Sequence, residues 1–407
     1  MTAPLVNDAA ASRLGIDMPR SSRLFFWAFG SAAKNWQGRG MTIITPDREE
    51  HTFGGATPEP AVLDIRDWKA IRRILSSGAI GLAESYMAGE WRTPDLARTL
   101  MVLADNFDQL AELTSGSAVF RAFNWVVHNV ARLNTRAGSR KNIVAHYDLG
   151  NEFYGRWLDA SMTYSSALWV QPDQTLEQAQ HEKYAALAKS IDLQPGHRVL
   201  EIGCGWGGFA EYAAREIGCT VVGLTLSPAQ QQFAIDRMAK AGLSDRVEIR
   251  LQDYRDTPET FDRIVSIEMF EAVGEKWWPT YFKVVRDRLA PGGKAGLQII
   301  TIRDDLFEAY RSEVDFIQKY VFPGGMLPSQ TRLDQETAAQ GLITTDVRHF
   351  GGDYARTLNL WLRRFNETHS GMDETFDRLW RFYLAYCEAG FATGRTDVVQ
   401  VSLIRPS

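Results

Sequence analysis

Short apolar runs alternate with helix-forming segments through the larger, C-terminal part of the chain. Strands are predicted at 198–202, 220–224, 247–251, 262–267 and 294–301. Helices are predicted between them at about 207–216, 228–241 and 276–289. Pro291-Gly292-Gly293 breaks the chain just before the fifth strand. This order of elements is typical of an α/β protein with a doubly wound parallel sheet.

The N-terminal part mixes strands and helix. Strand-like pieces occur at 41–45 and 61–65, and a helical segment runs from about Pro94 to Leu113. A basic stretch separates this region from the strand and helix alternation. We therefore predict a smaller mixed α/β domain at 1–112, a basic amphipathic linker at 113–141, and a larger domain at 142–407.

The linker region carries positive charge and a helical apolar stripe. No acidic residue occurs from Leu113 to Tyr147. The cations in this stretch are Arg121, Arg132, Arg136, Arg140 and Lys141, and the apolar stripe consists of Phe123, Val126, Val127 and Val130. Two interpretations stay open: contact with a membrane surface, or an interdomain helix whose cations are simply solvated.

Composition limits the class of protein. A sequence of 407 residues with 45% apolar residues can build two cores. It has no apolar run long enough to span a bilayer, and Asp8 and Asp17 are atypical of a signal peptide, so we expect a cytoplasmic protein. The three cysteines have no disulfide or metal spacing, so we expect no metal site. The net charge of −5 gives no indication of nucleic-acid binding.

A glycine-rich loop follows the first predicted strand. Gly203, Gly205 and Gly207 allow a tight turn with bare backbone for a ligand. A dinucleotide-binding protein would carry an acidic residue at the end of the second strand, but here Thr225 stands there. Glu201 precedes the first glycine and can face the amino-acid end of S-adenosylmethionine. The pattern favours adenosylmethionine over NAD.

Several ordered blocks resemble the cyclopropane-fatty-acyl-phospholipid synthase family, which includes the mycolic acid cyclopropane synthases. The C-terminal blocks are His146-Tyr-Asp-Leu-Gly-Asn151, Met162-Thr-Tyr-Ser-Ser166, the glycine loop, Gly223-Leu-Thr-Leu-Ser-Pro-Ala-Gln230, Leu251-Gln-Asp-Tyr254, Glu268-Met-Phe-Glu-Ala-Val-Gly274, Phe322-Pro-Gly-Gly-Met-Leu-Pro328 and Tyr383-Leu-Ala-Tyr-Cys-Glu-Ala-Gly-Phe391. A looser match, Glu84-Ser-Tyr-Met-Ala-Gly-Glu-Trp91, lies in the N-terminal part.

The resemblance implies a class I, Rossmann-like methyltransferase domain preceded by a smaller lipid-binding domain. It also implies methyl transfer from adenosylmethionine to the cis double bond of an unsaturated acyl group, usually in a phospholipid. Such an enzyme would lie peripherally on the inner membrane face, and a homo-oligomer stays open. With the chemistry of the residue types, the cofactor-binding set is Tyr164, Ser165, Glu201, Gly203, Gly205, Gly207, Thr225, Gln230, Gln252 and Asp253. Without the family block, Gln230 would be interpreted as an exposed helix residue.

Methyl transfer leaves a cation on the acyl group, and a base must then remove a proton. The resemblance implies that this base is a bound bicarbonate, whose ligand positions correspond here to Ser166, Glu271, Gln298 and Tyr354. The glutamate and tyrosine match, but serine and glutamine replace the family's cysteine and histidine. Gln298 stays neutral at every pH, so bicarbonate could be held more weakly. Aromatic faces, above all those of Tyr164 and Tyr354, would stabilise the cation.

The same cation allows two products. Loss of a methyl proton closes a cyclopropane, whereas loss of a proton from an adjacent carbon of the acyl group gives a methyl-branched alkene, and the sequence leaves both open. Different functions also remain as alternatives: an inactive or regulatory lipid-surface protein that keeps the fold, or a small-molecule or nucleic-acid methyltransferase.

Overall fold

The computed structural model describes residues 29–30, 36–55, 60–107, 110, 149–368, 371 and 373–407. The protein divides into two compact units. The first comprises Met1–Phe123 and Met372–Ala389, and the second comprises Asn124–Gly371 and Gly390–Ser407. The basic linker at 113–141, with its arginines and apolar stripe, lies outside the described residues, as does His146. None of the described helices is long and apolar enough to cross a bilayer.

The first unit contains a small mixed sheet with the strand order β2-β1-β3-β4. Its strands are β1 (Met41–Ile44), β2 (Glu50–Phe53), β3 (Ala61–Ile65) and β4 (Trp91–Arg92), and its first helices are α1 (Lys69–Met87) and α2 (Leu96–Asp105). β1 and β3 coincide with the two predicted strand-like pieces, and α2 lies within the predicted helical segment. The alternating burial of β1 shows why it forms, since Met41 and Ile43 pack inward.

The second unit is built on a seven-stranded sheet with the order β10-β11-β9-β8-β5-β6-β7. The strands are β5 (Arg198–Ile202), β6 (Thr220–Thr225), β7 (Val247–Leu251), β8 (Phe261–Ile267), β9 (Leu289–Ile302), β10 (Ile343–His349) and β11 (Thr396–Ile404). β5 to β9 pair in parallel. β5 is buried from Val199 to Ile202, as expected for a strand covered on both faces. All five predicted strands are therefore confirmed.

The helices of this unit follow the predicted order. They are α3 (Gly150–Gly155), α4 (Leu176–Ser190), α5 (Gly208–Tyr212), α6 (Pro228–Ala241), α7 (Trp278–Arg288), α8 (Asp304–Ser312), α9 (Phe316–Tyr320), α10 (Gln330–Ala339) and α11 (Gly351–Glu367). The final helix, α12 (Glu374–Ala392), continues from the first unit into the second. α6 has the predicted bounds, with Ser227 as its N-cap and Pro228 in its first turn.

Two features of the sheet differ from a purely parallel prediction. β10 and β11 are antiparallel to their neighbours, so the sheet is mixed. The predicted break at Pro291-Gly292-Gly293 lies inside β9, where the pairing with β8 jumps from Leu289 to Lys294. The strand therefore continues through this segment with a local irregularity in its pairing, instead of beginning after it.

The topology brings the carboxyl ends of β5, β6, β7 and β8 to one edge of the sheet. In open α/β sheets this edge holds the ligand. Gln298 of β9 lies opposite Ile267, the last residue of β8, and its other neighbour across the ladder is Gln400 of β11. Residues after these strands and in the middle of β9 are therefore close in space.

Candidate active site

The three glycines of the loop after β5 all have left-handed backbone angles, but their surroundings differ. A Cβ on Gly203 would lie 2.7 Å from Met269 Cγ, and one on Gly207 would lie 3.2 Å from Ala234 Cβ. A Cβ on Gly205, which has φ +51°, would meet nothing within 4 Å. Gly203 and Gly207 therefore permit close packing, whereas Gly205 leaves open space beside bare backbone.

Glu201 is buried near the end of β5, and one of its carboxylate oxygens has no hydrogen-bond partner among the described residues. Its side chain is 3% exposed, and no described residue hydrogen-bonds its Oε2. Burial raises the pKa of this carboxyl to about 8, although Arg237 lowers it. A buried acceptor without a partner is costly, so this oxygen suits a cationic ligand group such as the ammonium of adenosylmethionine.

Thr225 and Gln230, the two residues predicted to reach the ribose hydroxyls, contact each other. Thr225 Oγ1 lies 2.9 Å from Gln230 Oε1. Gln230 is 4% exposed, so the alternative of an exposed helix residue is wrong. Gln252 follows β7, and its Nε2 donates to Thr257 at 3.2 Å.

Asp253 is engaged by its own neighbour, which bears on its predicted contact with adenine. Arg255 donates from Nε at 2.8 Å and from Nη2 at 2.6 Å to the Asp253 carboxylate. Of the two predicted adenine partners, Gln252 therefore keeps the freer side chain.

Tyr164 and Ser165 lie in the segment between α3 and α4. Ser165 Oγ accepts a hydrogen bond from Lys183 Nζ at 2.6 Å, and Gln180 donates to the Ser165 carbonyl at 2.9 Å. Lys183 is completely buried. Burial lowers the pKa of Lys183 to about 7, while Glu268 is the largest influence in the opposite direction. No role was predicted for Lys183, since a lysine on a helix usually faces solvent.

Three of the four predicted catalytic positions meet at a residue to which no role was assigned, Glu268. The Ser166 backbone N–H and Gln298 Nε2 donate to Glu268 Oε1 at 2.8 Å and 2.7 Å. The Tyr354 hydroxyl donates to Glu268 Oε2 at 2.7 Å. The Ser166 hydroxyl donates instead to the Ala167 carbonyl at 2.9 Å, so Ser166 contributes its backbone rather than its side chain.

Glu268 is the first residue after β8 and has a left-handed backbone angle of φ 50°. A non-glycine residue in this conformation is strained, and such strain is concentrated at functional sites. Its N–H donates to the Gln298 carbonyl at 2.8 Å, which holds the turn. Burial raises the pKa of Glu268, and the hydrogen bond from Tyr354 is the largest opposing influence. A carboxylate with a raised pKa is a stronger base than an exposed glutamate, which suits it to remove a proton.

Ser166, Gln298 and Tyr354 thus form a cage of hydrogen-bond donors around Glu268. Glu271 lies near this cage but forms no hydrogen bond with Glu268. Its Oε1 accepts from the Ile300 N–H, and no described residue hydrogen-bonds its Oε2. Burial, together with the charge of the nearby Glu268, raises the pKa of Glu271 to about 8. Glu271 is therefore protonated at neutral pH, whereas Glu268 has three donors that favour its ionised form.

Aromatic rings surround the segment that carries Tyr164. Its ring centroid lies 5.4 Å from that of Trp157 and 5.6 Å from that of Trp361. Trp361 is in turn 6.1 Å from Tyr354. The two tryptophans were missed from sequence, because most tryptophans are core residues and nothing local sets these two apart.

The described residues contain no group of acidic, histidine or cysteine side chains that could hold a metal ion.

Comparison with known proteins points to the same chemistry. Residues 134–401 match the family model of mycolic acid cyclopropane synthetase. A tuberculostearic acid methyltransferase of Mycobacterium tuberculosis is 42% identical over 86% of this chain and 85% of its own length. A cyclopropane-fatty-acyl-phospholipid synthase of Escherichia coli is 38% identical over 85% of this chain and 88% of its own length.

Solved structures also match about two thirds of the chain. A cyclopropane synthase from Mycobacterium tuberculosis has a TM-score of 0.62 and 31% identity, over 65% of this chain and 98% of the other. A mycolic acid cyclopropane synthase complexed with SAH and CTAB has the same TM-score, identity and coverage.

The fold and the glycine loop, together with the Glu201 oxygen to which no described residue donates, define a class I, Rossmann-like methyltransferase that uses S-adenosylmethionine. The protein belongs to the mycolic acid cyclopropane synthetase family. It is an enzyme that methylates a lipid substrate.

Proposed function

We propose that this protein methylates the cis double bond of an unsaturated acyl group in a membrane phospholipid, and that Glu268 is the base that completes the reaction. The observation that carries the proposal is the convergence of three hydrogen-bond donors on the Glu268 carboxylate. The phospholipid carrier is supported by the 38% identity to the cyclopropane-fatty-acyl-phospholipid synthase of Escherichia coli.

The cofactor supplies an electrophilic methyl group, and the protein's own residues bind and orient it. Glu201 Oε2 would accept from its ammonium group, since this oxygen is buried and has no described partner. Gly205 would leave room for the ligand against bare backbone. Thr225 and Gln230 would reach the ribose hydroxyls, and Gln252 the adenine amino group.

The acyl group becomes cationic when its alkene takes up the methyl group. The alkene electrons would form a carbon–carbon bond to the transferred methyl group, while the bond from that methyl group to the cofactor sulfur would break and leave its electrons on sulfur. The neighbouring acyl carbon would then carry the positive charge. The faces of Tyr164, Trp157 and Trp361 provide quadrupoles that stabilise such a cation without reacting with it. This stabilisation requires no nucleophilic side chain.

Glu268 would take the place that bicarbonate has in the family. Ser166 N–H, Gln298 and Tyr354 already have the Glu268 oxygens as acceptors. A bicarbonate would have to displace this carboxylate or lie beside it, and two like charges in a buried site repel strongly. The proton would therefore pass from the acyl cation to a Glu268 oxygen.

Two fates of the cation leave a neutral product and a protonated Glu268. Electrons of a C–H bond in the new methyl group close a cyclopropane, and electrons of a C–H bond on an adjacent acyl carbon form a methyl-branched alkene. We propose the branched alkene as the main product. The cage differs from the family's at Gln298 and Ser166, and the 42% identical relative is a methyltransferase by name.

Fatty acids from an Escherichia coli host that lacks its own synthase and expresses this protein test the proposal. Both products have the same mass gain, so ozonolysis must accompany mass spectrometry, because an alkene is cleaved and a cyclopropane survives. A product that ozone cleaves is expected. A product that is entirely resistant to ozone would refute the branched alkene.

The role of Glu268 is tested with purified protein and phospholipid vesicles. Glu268→Gln should reduce turnover at least about a hundredfold, within the range of a lost general base. The parent should need no bicarbonate, whereas Glu268→Gly should regain activity when bicarbonate or formate is added. Full activity of Glu268→Gln, or a parent that depends on bicarbonate, would refute this role.

Light scattering of the same samples reports whether the protein forms the homo-oligomer left open above.

A further inference from the structure

The buried side-chain amide of Gln400, on β11, contacts Gln298, one of the three donors to Glu268. Gln400 is 3% exposed and lies directly opposite Gln298 in the antiparallel pairing of β9 and β11. Its Nε2 is 3.1 Å from the Lys183 carbonyl oxygen and 3.2 Å from Gln298 Oε1. Gln298, which is completely buried, directs its own Nε2 to Glu268 Oε1 at 2.7 Å.

The chemistry of the end groups fixes the direction of both amides. A backbone carbonyl can only accept hydrogen bonds, so the Gln400 nitrogen must face Lys183. The same nitrogen then has its second hydrogen for Gln298 Oε1. With that oxygen engaged, the nitrogen of Gln298 faces Glu268, and it also donates to the Ser166 carbonyl oxygen at 3.4 Å. Reversing Gln400 would place its oxygen against two other acceptors, which is unfavourable in a buried site.

We propose that Gln400 is a positioning residue, which holds the Gln298 amide with its nitrogen toward Glu268. On this side Glu268 therefore meets a hydrogen-bond donor and no acceptor. The consequence rests on the proposed function of Glu268 as a base. An ionised carboxylate accepts hydrogen bonds, whereas a protonated one also needs an acceptor. Gln400 withholds the Gln298 oxygen as that acceptor, and this favours the form of Glu268 that can remove a proton.

Glu268 also faces charged and titratable groups from other elements. Lys183 of α4 favours its ionised form. Glu271, in the turn after β8, is a neighbouring carboxyl, and Tyr354 of α11 donates its hydroxyl hydrogen. Because several groups titrate here, the test must observe the Glu268 carboxyl itself rather than activity alone.

Infrared titration of the ligand-free protein provides that observation. The carbonyl band of protonated Glu268 is identified as the band that Glu268→Gln removes. In Gln400→Met, which is similar in size and has no donor, this band should persist to a pH about one unit higher than in the parent. The acid limb of kcat should move by the same amount. If Gln400→Met fails to fold, Gln400→Glu retains one donor when protonated and should give a smaller shift in the same direction.

A double-mutant cycle separates positioning from a general structural effect. If Gln400 acts through Gln298, adding Gln400→Met to Gln298→Met should move the band no further. Val401→Ala is the matched control, because it removes core packing one residue along β11 on the opposite face of the sheet. It should lower the melting temperature without moving the band.

The outcomes distinguish this proposal from the one on which it rests. An unshifted band in folded Gln400→Met, or a further shift in the double variant, would overturn the positioning role. An active Glu268→Gln enzyme would instead overturn the base assignment, while a shifted band would still support the hydrogen-bond line from Gln400 to Glu268.

Discussion

The phenolic oxygen of Tyr354 lies 2.7 Å from Oε2 of Glu268, although 86 residues separate the two along the sequence. Tyr354 is in the first turn of α11, and Glu268 directly follows β8. The hydrogen bond therefore joins a helix to the end of a central strand. A neutral donor at this position stabilises the ionised carboxylate without adding a charge to the pocket.

Tyr354→Phe should shift the pH dependence of turnover. Loss of the donor raises the pKa of Glu268 further, because that hydrogen bond is the main influence lowering it. A base must be ionised to accept a proton. On the acid limb of the pH profile, the activity of the variant should therefore be about tenfold to a hundredfold lower than that of the parent, and it should recover at higher pH. Rates on phospholipid vesicles across pH measure this. Tyr212→Phe, a half-buried tyrosine elsewhere in the unit, should keep the parent profile.

Cofactor binding should release a proton through Glu201. This carboxyl has a pKa of about 8, so it is largely protonated at pH 7 in the free enzyme. A bound ammonium group favours the ionised form, and the proton must then leave. Calorimetry with S-adenosylhomocysteine at pH 7, in buffers of different ionisation enthalpy, should show release of about one proton. Glu201→Gln should release none and bind more weakly, and equal release by this variant would exclude Glu201 as the source.

Gly205 can be tested against a glycine of matched geometry. Gly205 and Gly242 both have a left-handed backbone and open space where a Cβ would lie, but only Gly205 is in the predicted ligand loop. Asparagine tolerates this conformation better than most residues. Gly205→Asn should weaken adenosylmethionine binding at least about tenfold, or about 1.4 kcal/mol, because its side chain enters the ligand space. Gly242→Asn should bind as the parent does, and a similar affinity for both would contradict the loop assignment.

The cofactor loop could be predicted because its signal is local. Strand β5, the glycines and Glu201 are contiguous, and each residue type has a physical reason at its position. The antiparallel β10 and β11 were not predicted. β10 is largely exposed and has a weak apolar pattern, and β11 pairs with β9 across about a hundred residues of sequence.

The cage around Glu268 could be predicted only in part. The resemblance pointed to Ser166, Gln298 and Tyr354, which do meet, but it carried over a bicarbonate and left Glu268 without a role. The signal was a carboxylate directly after a buried strand, at the edge where ligands bind. Its meaning depends on three donors from distant segments, and on a strained backbone angle that no local pattern reveals.

Glu271 should make stability depend on pH. Its pKa is raised from 4.5 to about 8, so between these values the folded state holds a proton that the unfolded state has lost. Its contribution to stability is therefore greatest below pH 4.5 and declines as pH rises toward 8. Urea unfolding between about pH 5 and 7 should show a smaller loss of stability with pH in Glu271→Gln than in the parent. Identical slopes would indicate that Glu271 is already ionised when folded.

The basic linker should hold the enzyme on anionic lipid. Arg121, Arg132, Arg136 and Arg140 lie outside the described residues, so this prediction rests on sequence alone. Surface attraction is screened within about 10 Å at ~0.1 M ionic strength, so activity on anionic vesicles should fall as salt rises. Arg132→Glu with Arg136→Glu should reduce vesicle binding in a flotation assay, while adenosylmethionine affinity stays at the parent value. Neutral vesicles serve as the control, since the two proteins should bind them alike. Equal binding of both proteins to anionic vesicles would favour the interdomain interpretation, in which these cations are only solvated.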